Sequence, residues 1–584
     1  MLKESFWKIT GFLIAVSLAF TACGSTDNPE KGTVVEAPVV PDSDEVTSEN
    51  PTKLSGSVKD KTLNYKISDE VMFDIENGSS ESLKRAASQL KKNSADYSDN
   101  EKILLSIAKN LMEIVWPSVP SDIPTVSVDN NNPYMGAINS AKNGIFDSST
   151  GNVDFLSTIL PAIVVLTSNP SEAVLQKCEK CILDAQKINS KSMLANYLGG
   201  VVYEKMGDSS NAERFYKLAY ENSSSETELS VAYARVLSKN GNQELASKVL
   251  SSVSSTSVND IQVLKQNAYI AYEKNDLQAA EEYVARVLQQ NPNDLDFVLF
   301  RAKIFIGKND YIHAVSLLDM YARQNDTNLD YLVLRASVQL DWSKNTTSAT
   351  ETVEKALRLY PDSEDALMIA AKLSSTTDAP VAGKYADELA QMVLDKNPKN
   401  TQALSYALEG LILRENWQNA YEISTRLINM PNVQGDSIYR HVNICIHLGK
   451  KTEAFEVANN AYNSNKKDEA LIQSYVYAYT QIYSRDASLS LINSFMDSSS
   501  SKMKSFLYYR RSYLQRTEDT QLADLRSSLI ANPRNSDALF RLYEIYYEKK
   551  DYRKAQYYLK QVVAIKPNDS SIKKLNDTLT QLIK

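Results

Sequence analysis

The 584-residue sequence has little of what most catalytic and metal sites require. It contains three His and four Cys, so a His-based catalytic centre has at most three candidates and few metal sites can be assembled. Gly and Pro, at 17 residues each, fall well below their usual shares of ~7% and ~5%. This scarcity excludes a collagen-like or Pro/Gly-rich disordered chain. It also argues against an all-β protein, whose turns consume both residue types.

Basic residues are also in short supply. There are 64 Lys and Arg against 72 Asp and Glu, which gives a net charge of −8. Because nucleic-acid binding needs a basic surface that neutralises phosphates, a generic nucleic-acid binder is not expected. Hydrophobic residues make up 43% of the chain, enough for a core. A long chain that is poor in helix breakers and in catalytic residue types points to helices and to a protein that is not an enzyme.

The first residues have the pattern of an export signal. Two lysines precede an apolar run from Ile9 to Phe20, which is too short for a membrane-spanning helix of ~20 residues. Small residues then lead to Cys23, and this end resembles the lipobox of bacterial lipoproteins, although that pattern prefers Leu where Phe20 stands. The resemblance implies a signal peptide over residues 1–22 and acylation of Cys23, for instance with palmitate. An uncleaved anchor and a plain secretory signal cut after Ala22 are the alternatives.

Residues 23–56 differ in composition from the rest of the chain. The stretch from Gly24 to Gly56 has four Pro, seven acidic residues, two Lys and no aromatic residue. Such a segment repels itself and cannot bury enough surface to fold. It is interpreted as a disordered tether, about 100 Å long at full extension, which holds the folded part away from the lipid.

Two series of small residues recur every 34 positions through most of the remaining chain. The first series comprises Ala212, Ala246, Ala280 and Ala314, and resumes as Ala386, Ala420 and Ala454. The second series runs twelve residues ahead and comprises Gly200, Ala234, Ala268, Ala302, Ala336 and Ala370. A turn residue lies about five positions before most members of the first series or before the equivalent small residue. These turn residues are Gly207, Gly241, Asn275, Asn309, Glu415, Gly449 and Lys550. The period predicts helix pairs whose small residues lie where two backbones cross closely.

Prolines mark the predicted end of the second helix in five repeats. They are Pro292, Pro361, Pro398, Pro533 and Pro567, and proline cannot continue a helix. In length and residue types the pattern resembles the tetratricopeptide repeat (TPR), although the Trp usual at its fourth position is absent. The resemblance implies an all-α, TPR-type α-solenoid, a right-handed superhelix of helix pairs.

The repeat covers residues 193–569 as about eleven TPR-like units. The fifth and sixth carry insertions over 341–348 and 374–383, the ninth and tenth are degenerate, and residues 570–584 are predicted to form an amphipathic capping helix, as an open stack needs. Residues 57–192 are predicted to be an irregular helical segment packed on the first repeat, with a separate small domain as the alternative. Within it, residues 155–192 form a helix pair in phase with the repeat and are a candidate divergent repeat.

Individual elements of this N-terminal region can be proposed from the pattern. Helices are expected over Ser80–Lys92, Glu101–Val115, Pro133–Gly144, Phe155–Thr167 and Ser171–Lys187. The stretch Lys61–Ile75 alternates in part and is interpreted as a short strand or an extended lead-in.

Few chemically reactive residues remain, and each has a structural interpretation. Cys178 and Cys181 form a CxxC in mid-helix, without the strand before it or the second pair that redox and zinc sites use, so both are expected to be small buried residues. Cys445 falls at a core position. His441 and His447 are six residues apart, which does not place them on one helix face. No nucleotide-binding loop or nucleophile elbow occurs, and no catalytic residue, metal or cofactor is predicted.

In TPR proteins the second, fifth, ninth and twelfth positions of each first helix line a groove. Transferred to this sequence, these positions include Tyr197, Val201, Arg235, Lys265, Tyr269, Tyr272, Lys303, Ile306, Tyr439, Asn443, Ile446, Tyr477, Phe506, Arg510, Tyr513, Phe540 and Tyr547. Exposed Tyr with Arg or Lys is typical of protein-binding surfaces; the alternative is that each Tyr packs along the seam between repeats. The Lys and Asn clamp that some TPR proteins use for a C-terminal carboxylate is not reproduced.

These features predict a membrane-tethered scaffold that binds a protein or peptide partner in the bacterial cell envelope. The expected location is a bacterial membrane reached by export and lipid anchoring, most simply the outer membrane facing the periplasm, with the cell surface as the other option. A surface-exposed adhesin that binds a host or neighbour-cell component is the alternative function. An enzyme within residues 57–192 is the least favoured one.

Overall fold

The computed structural model describes most of the chain beyond the tether. The described residues are 68–92, 97–129, 131–147, 154–223, 226–253, 257–431, 433–567 and 569–583. They fall into two compact units, one that ends at Lys308 and one that begins at Asn309, called here the N-terminal unit and the C-terminal unit. The predicted signal peptide, Cys23 and the tether lie outside the described residues.

The N-terminal unit is built from helices. In chain order they are α1 (Asp69–Asn77), α2 (Ser80–Lys92), α3 (Asp99–Val115), α4 (Pro133–Lys142), α5 (Phe155–Ile159), a 3₁₀ helix (Leu160–Ile163), α6 (Val164–Thr167), α7 (Glu172–Ile188), α8 (Met193–Met206), α9 (Ser209–Asn222), α10 (Thr227–Lys239), α11 (Gln243–Ser251), α12 (Ile261–Glu273), α13 (Leu277–Gln290) and α14 (Leu295–Gly307).

The C-terminal unit is also helical. It contains α15 (Tyr311–Ala322), α16 (Leu329–Asp341), α17 (Thr346–Leu359), α18 (Glu364–Thr377), α19 (Ala386–Leu394), α20 (Thr401–Leu413), α21 (Trp417–Ile428), α22 (Gly435–His447), α23 (Lys451–Ser464), α24 (Glu469–Ile482), α25 (Arg485–Met496), α26 (Ser501–Ser512), α27 (Glu518–Ala531), α28 (Ser536–Glu548), α29 (Tyr552–Ile565) and α30 (Ser570–Ile583). Across the described ranges the one β-type pairing is an isolated bridge between Val381 and Lys384. The predicted all-α, TPR-type fold of helix pairs is confirmed.

The turns between the two helices of a repeat follow the predicted pattern. All seven turn residues named from the sequence have positive φ, with values of 81° at Gly207, 86° at Gly241, 59° at Asn275 and Asn309, 55° at Glu415, 76° at Gly449 and 60° at Lys550. In most of them the next residue is Asp or Asn, whose side chain caps the second helix, as Asp208 does for the backbone N–H of Asn211. A left-handed residue ends the first helix and the cap starts the second, so the pair reverses direction in very few residues.

The N-terminal region contains the five predicted helices, with two differences. Residues Phe155–Thr167 form α5, a 3₁₀ helix and α6 instead of one helix, because Pro161 has no N–H for an α-helical hydrogen bond. The interpretation of Lys61–Ile75 as extended is wrong for its described part, since α1 begins at Asp69. The Ser68 side chain accepts the N–H of Val71 and caps α1, which favours helix there.

The core of the N-terminal unit joins α1–α7 to the first repeats. Trp116 is fully buried, and its indole Nε1 donates to the carbonyl oxygen of Gly78 at 2.8 Å. The same hydrophobic cluster continues through α8–α11 to Ile270 on α12. The region before the repeats therefore folds as part of this unit. No helix among the described residues combines the length and the apolar composition that a membrane span requires.

The two small-residue series lie at buried helix crossings. The alanines named from both series are almost completely buried. Gly200, the glycine of the second series, lies at a close crossing: a Cβ added to it would lie 2.3 Å from Cδ1 of Tyr216, whose ring is fully buried. At this crossing the absence of a side chain on α8 leaves room for a large ring on α9.

Glu76 gives the N-terminal unit a pH-dependent contact. It lies on α1, where burial, opposed by a 3.3 Å hydrogen bond from Asn189, raises its pKa from 4.5 to about 7. The pKa of Glu76 is higher in the folded state than in the unfolded state. The contribution of the protonated Glu76 side chain to stability is therefore fully present below pH ~4.5 and is lost as the pH rises through the folded-state pKa of about 7. We expect Glu76→Gln to raise the free energy of unfolding at pH 8 by about 1–2 kcal/mol, after solvent screening, and to change little at pH 4.5. Urea unfolding at both pH values measures this, and an equal gain at both would contradict it.

Candidate binding surface

Tyr197 does not reach an accessible groove. It is 8% exposed on α8, with ring centroids 5.1 Å from Trp116 and 5.9 Å from Tyr216. Burial raises the pKa of Tyr197 to about 12. Trp116, the residue that follows α3, packs against the Tyr197 ring on the face of α8 that would line a groove in an isolated stack of repeats.

The guanidinium of Arg235 forms an ion pair with a carboxylate of the same chain. Its Nε and Nη2 donate to the two carboxylate oxygens of Glu204 at 2.7 and 2.8 Å, and the Tyr216 hydroxyl donates to the same carboxylate at 2.9 Å. Burial opposes ionisation of Glu204, but the hydrogen bonds and charge of Arg235 outweigh it and hold its pKa below the usual 4.5. This bidentate bridge joins α8 to α10 and pairs the guanidinium with a carboxylate of the chain itself, while 35% of the Arg235 side chain remains exposed.

The predicted residues of α12 and α14 form a compact aromatic group. Lys265 pairs with Asp294 at 2.6 Å and lies 4.8 Å from the ring centroid of Phe297. Tyr269 and Tyr272 pack on Phe300 at 4.8 and 5.3 Å, and the Lys303 ammonium lies 5.0 Å from the Tyr272 ring. These half-buried side chains contact one another along the seam between repeats, as the packing alternative predicted.

The predicted residues of α22, α24 and α26 lie together on one surface. We call Tyr439, Asn443, Tyr477, Phe506, Arg510 and Tyr513 the Arg510 surface. The Tyr439 ring is 6.2 Å from Tyr477 and 6.1 Å from Phe506 between centroids, and the Tyr477 hydroxyl donates to Asn443 Oδ1 at 3.3 Å. Residues about one repeat apart therefore form a continuous aromatic strip.

Arg510 differs from Arg235 and Lys265, which are each paired with a carboxylate. Its guanidinium carbon lies 4.0 Å from the ring centroid of Tyr477 and 5.5 Å from that of Tyr513. Nη2 reaches Thr480 Oγ1 at 3.4 Å, while the buried Nε has no hydrogen-bond partner. Among the described residues no carboxylate forms an ion pair with Arg510, whereas the neighbouring Arg511 bonds to Asp524 at 2.6 Å. Arg510 is a cation that packs on aromatic rings and has no paired carboxylate within the part of the chain that the structure describes.

The strip continues towards α28. Tyr513 is 47% exposed, and the Arg541 guanidinium lies 5.1 Å from its ring centroid. Phe540 and Tyr547 pack on Tyr543 from two sides, at 5.2 and 5.7 Å. The TPR positions used for prediction did not include Arg541, which falls on the sixth residue of its repeat. Its place beside Tyr513 depends on contacts between repeats, which the sequence period does not give.

The thiols are buried as expected. Cys178 and Cys181 lie in the middle of α7, and Cys445 lies on α22; all three are free and buried. Burial raises the pKa of Cys178 to about 12, so its thiolate, the reactive form, is scarce near neutral pH. The structure supports the interpretation of the CxxC as packing residues.

One polar group in the C-terminal unit was missed at the sequence level. His441 and Cys445 are one turn apart on α22, and with Glu453 on α23 they place a ring nitrogen, a sulfur and a carboxylate oxygen within 4.8 Å of one another. At the sequence level His441 was considered only together with His447. The His447 ring instead stacks on Trp417, with 4.0 Å between ring centroids. A His-x-x-x-Cys spacing on a predicted helix was the available signal. These three residues could hold a metal ion.

Comparisons with known proteins give limited information. No protein-family model and no curated protein sequence matches the chain. Among solved structures, PilF of Pseudomonas aeruginosa is 18% identical, with a TM-score of 0.31, over 41% of this chain and 99% of its own. YrrB, a TPR protein with an unusual peptide-binding site, is 19% identical, with a TM-score of 0.27, over 35% and 97%. A TPR protein from Parabacteroides merdae is 14% identical, with a TM-score of 0.32, over 46% and 98%. At these values, none of these similarities identifies a function for the chain.

Proposed function

We propose that the protein is a scaffold that binds a segment of another protein along the Arg510 surface. The observation that carries this proposal is the Arg510 guanidinium, which lies over two tyrosine rings without a carboxylate partner. A bound segment with an acidic side chain or a C-terminal carboxylate would supply the missing anion. Charge-assisted hydrogen bonds of this kind are about twice as strong as neutral ones.

The surroundings of Arg510 favour binding energetically. Its position is fixed by the rings of Tyr477 and Tyr513, so little side-chain freedom is lost when a ligand docks. The half-buried rings of Tyr439 and Phe506 supply apolar area next to the charge. Arg and Tyr clustered in this way are the residue types that most often dominate binding energy at protein interfaces.

We further propose that this binding takes place at a bacterial membrane. The support is the sequence around Cys23, which resembles a lipoprotein signal, and the acidic tether that follows it. Together they would place the repeats in the cell envelope, at a distance from the lipid set by the tether.

The proposal can be tested by photo-crosslinking in the host cell. We expect photoreactive benzoylphenylalanine in place of Tyr513 to form an adduct with one defined protein. Arg510→Gln should reduce the adduct at least about tenfold, as loss of a central binding residue does. Cys23→Ala should release the adduct from the membrane fraction.

Two matched variants serve as controls. Tyr557, 64% exposed on α29, receives the same photoreactive residue and should give no specific adduct. Arg526, exposed on α27, is changed to Gln and should leave the Tyr513 adduct unchanged. Equal adducts from positions 513 and 557, or no effect of Arg510→Gln, would contradict binding at the Arg510 surface. Digestion of the adduct by protease added to intact cells would favour the adhesin alternative.

A further inference from the structure

We propose that His441, Cys445 and Glu453 bind a zinc ion between α22 and α23. The site is separate from the Arg510 surface, although both use α22. It combines a nitrogen, a sulfur and an oxygen donor, a set that suits the borderline-soft Zn²⁺ ion.

The donor atoms already approach the geometry that zinc requires. Zinc bonds of ~2.0–2.3 Å at tetrahedral angles place neighbouring ligand atoms about 3.3–3.8 Å apart. Cys445 Sγ lies 3.4 Å from His441 Nε2, and the three donors span no more than 4.8 Å. A small rotation of the Glu453 side chain, which is 38% exposed, would complete the set.

A hydrogen-bond chain holds the His441 ring at the site. The oxygen of the Ser424 hydroxyl lies 3.0 Å from the carbonyl oxygen of Tyr421 and 2.9 Å from His441 Nδ1. When the hydroxyl donates to Tyr421, the Nδ1–H of His441 donates to Ser424, and Nε2 has the free lone pair that zinc would bind. Metal-bound histidines are usually held in this way through the ring nitrogen away from the metal.

The local fold explains why these three residues meet. His441 and Cys445 share one face of α22 at a spacing of four. Gly449, with φ of 76°, reverses the chain, and Glu453 then falls in the first turn of α23. Coordination would join the two helices of this repeat. The Cys445 sulfur would bind as a thiolate, with its proton released to solvent, and water could occupy the fourth position on the open side of Glu453.

Lys450 competes for Glu453 in the absence of metal. Its ammonium lies 3.4 Å from Glu453 Oε2 and 3.5 Å from the centroid of the Tyr421 ring. A zinc ion at the site would repel this charge, and the side chain would turn towards solvent. Removal of the charge should therefore strengthen zinc binding, an effect that a buried Cys–His pair with a purely structural role would not produce.

The experiment is metal titration of the reduced protein with Zn²⁺ and with Co²⁺ as a spectroscopic probe. We expect one ion per chain and a thiolate-to-cobalt charge-transfer band. Cys445→Ser should abolish the band and weaken binding about 100-fold, while Ser424→Ala should weaken it about tenfold through His441. Lys450→Gln should strengthen binding several-fold.

A thiol control separates this site from the other cysteines. The double variant C178S/C181S should bind as the parent does and keep the band. Circular dichroism of each variant shows whether it is folded, and Lys450→Gln, at a half-buried side chain, tests the site without replacing a ligand. A band that survives Cys445→Ser, absence of one-to-one binding, or no gain in affinity with Lys450→Gln would overturn the proposal.

Discussion

Gly200→Ala is expected to destabilise the N-terminal unit by about 2–3 kcal/mol, even though alanine is the better helix former by ~1 kcal/mol. The added methyl would lie 2.3 Å from Cδ1 of Tyr216, so α8 and α9 would have to move apart. For a unit of this size the loss corresponds to a fall in melting temperature of about 5–10 °C. Calorimetry measures the effect, and hydrogen exchange of α8 and α9 locates it.

The neighbouring repeat suggests how to test the crossing. The residues 34 positions after Gly200 and Tyr216 are Ala234 and Leu250, and both are buried. Tyr216→Leu removes the hydrogen bond to Glu204 and destabilises the unit by itself, so the comparison is between Tyr216→Leu and G200A/Y216L. We expect Gly200→Ala to cost less than half as much in the Tyr216→Leu background as in the parent, because the smaller side chain on α9 makes room for the methyl group.

A matched control exists on α4. A Cβ at Gly136 meets no atom within 4 Å, so Gly136→Ala should be neutral or stabilise the helix by up to ~1 kcal/mol. Equal stability of Gly200→Ala and the parent protein would contradict the close crossing of α8 and α9.

Arg235→Met is expected to destabilise the same unit by about 2–4 kcal/mol at pH 7, because Glu204 would keep its charge in a largely buried place without a cation. Replacing both partners, as in R235M/E204L, should cost much less, since no unpaired charge remains. Denaturant unfolding of the two variants and of Glu204→Leu completes the cycle.

The pH dependence tests the cause of this loss. Arg235 holds the pKa of Glu204 below its usual value, so the bridge contributes stability above pH ~4.5 and loses it as the pH falls through the lower folded pKa. In Arg235→Met the penalty should shrink near pH 4, where Glu204 can take up a proton. A penalty that is independent of pH would indicate lost packing instead of an unpaired charge.

The repeat period predicted much of the fold because it reports on contacts that recur. The turn at Gly207 and the buried small residue at Ala212 appear in every well-matched repeat, so a single sequence contains many copies of the same signal. Residues 57–154 have no such copies. Even there, Ser68 as a helix cap was a local signal that could have replaced the extended interpretation of α1.

The candidate site was harder to predict because it depends on what covers each repeat. Tyr197 and Tyr439 are each the fifth residue of a predicted repeat, yet Trp116 from outside the repeats packs on Tyr197 while Tyr439 stays half-buried. Whether the Arg510 guanidinium is paired likewise depends on which side chains the neighbouring repeats place beside it. The spacing of residues along the sequence does not give that information.

The boundary between the two units has a practical consequence for dividing the protein. It falls between α14 and α15, inside the predicted fourth repeat 295–328. Within its own unit α14 packs on α13, and α15 packs on α16. A cut at residue 294 would take α14 away from α13, and a cut at residue 328 would separate α15 from α16. A fragment that ends at Lys308 keeps both of these helix pairs together, and its end lies half a repeat away from the repeat boundaries of the sequence.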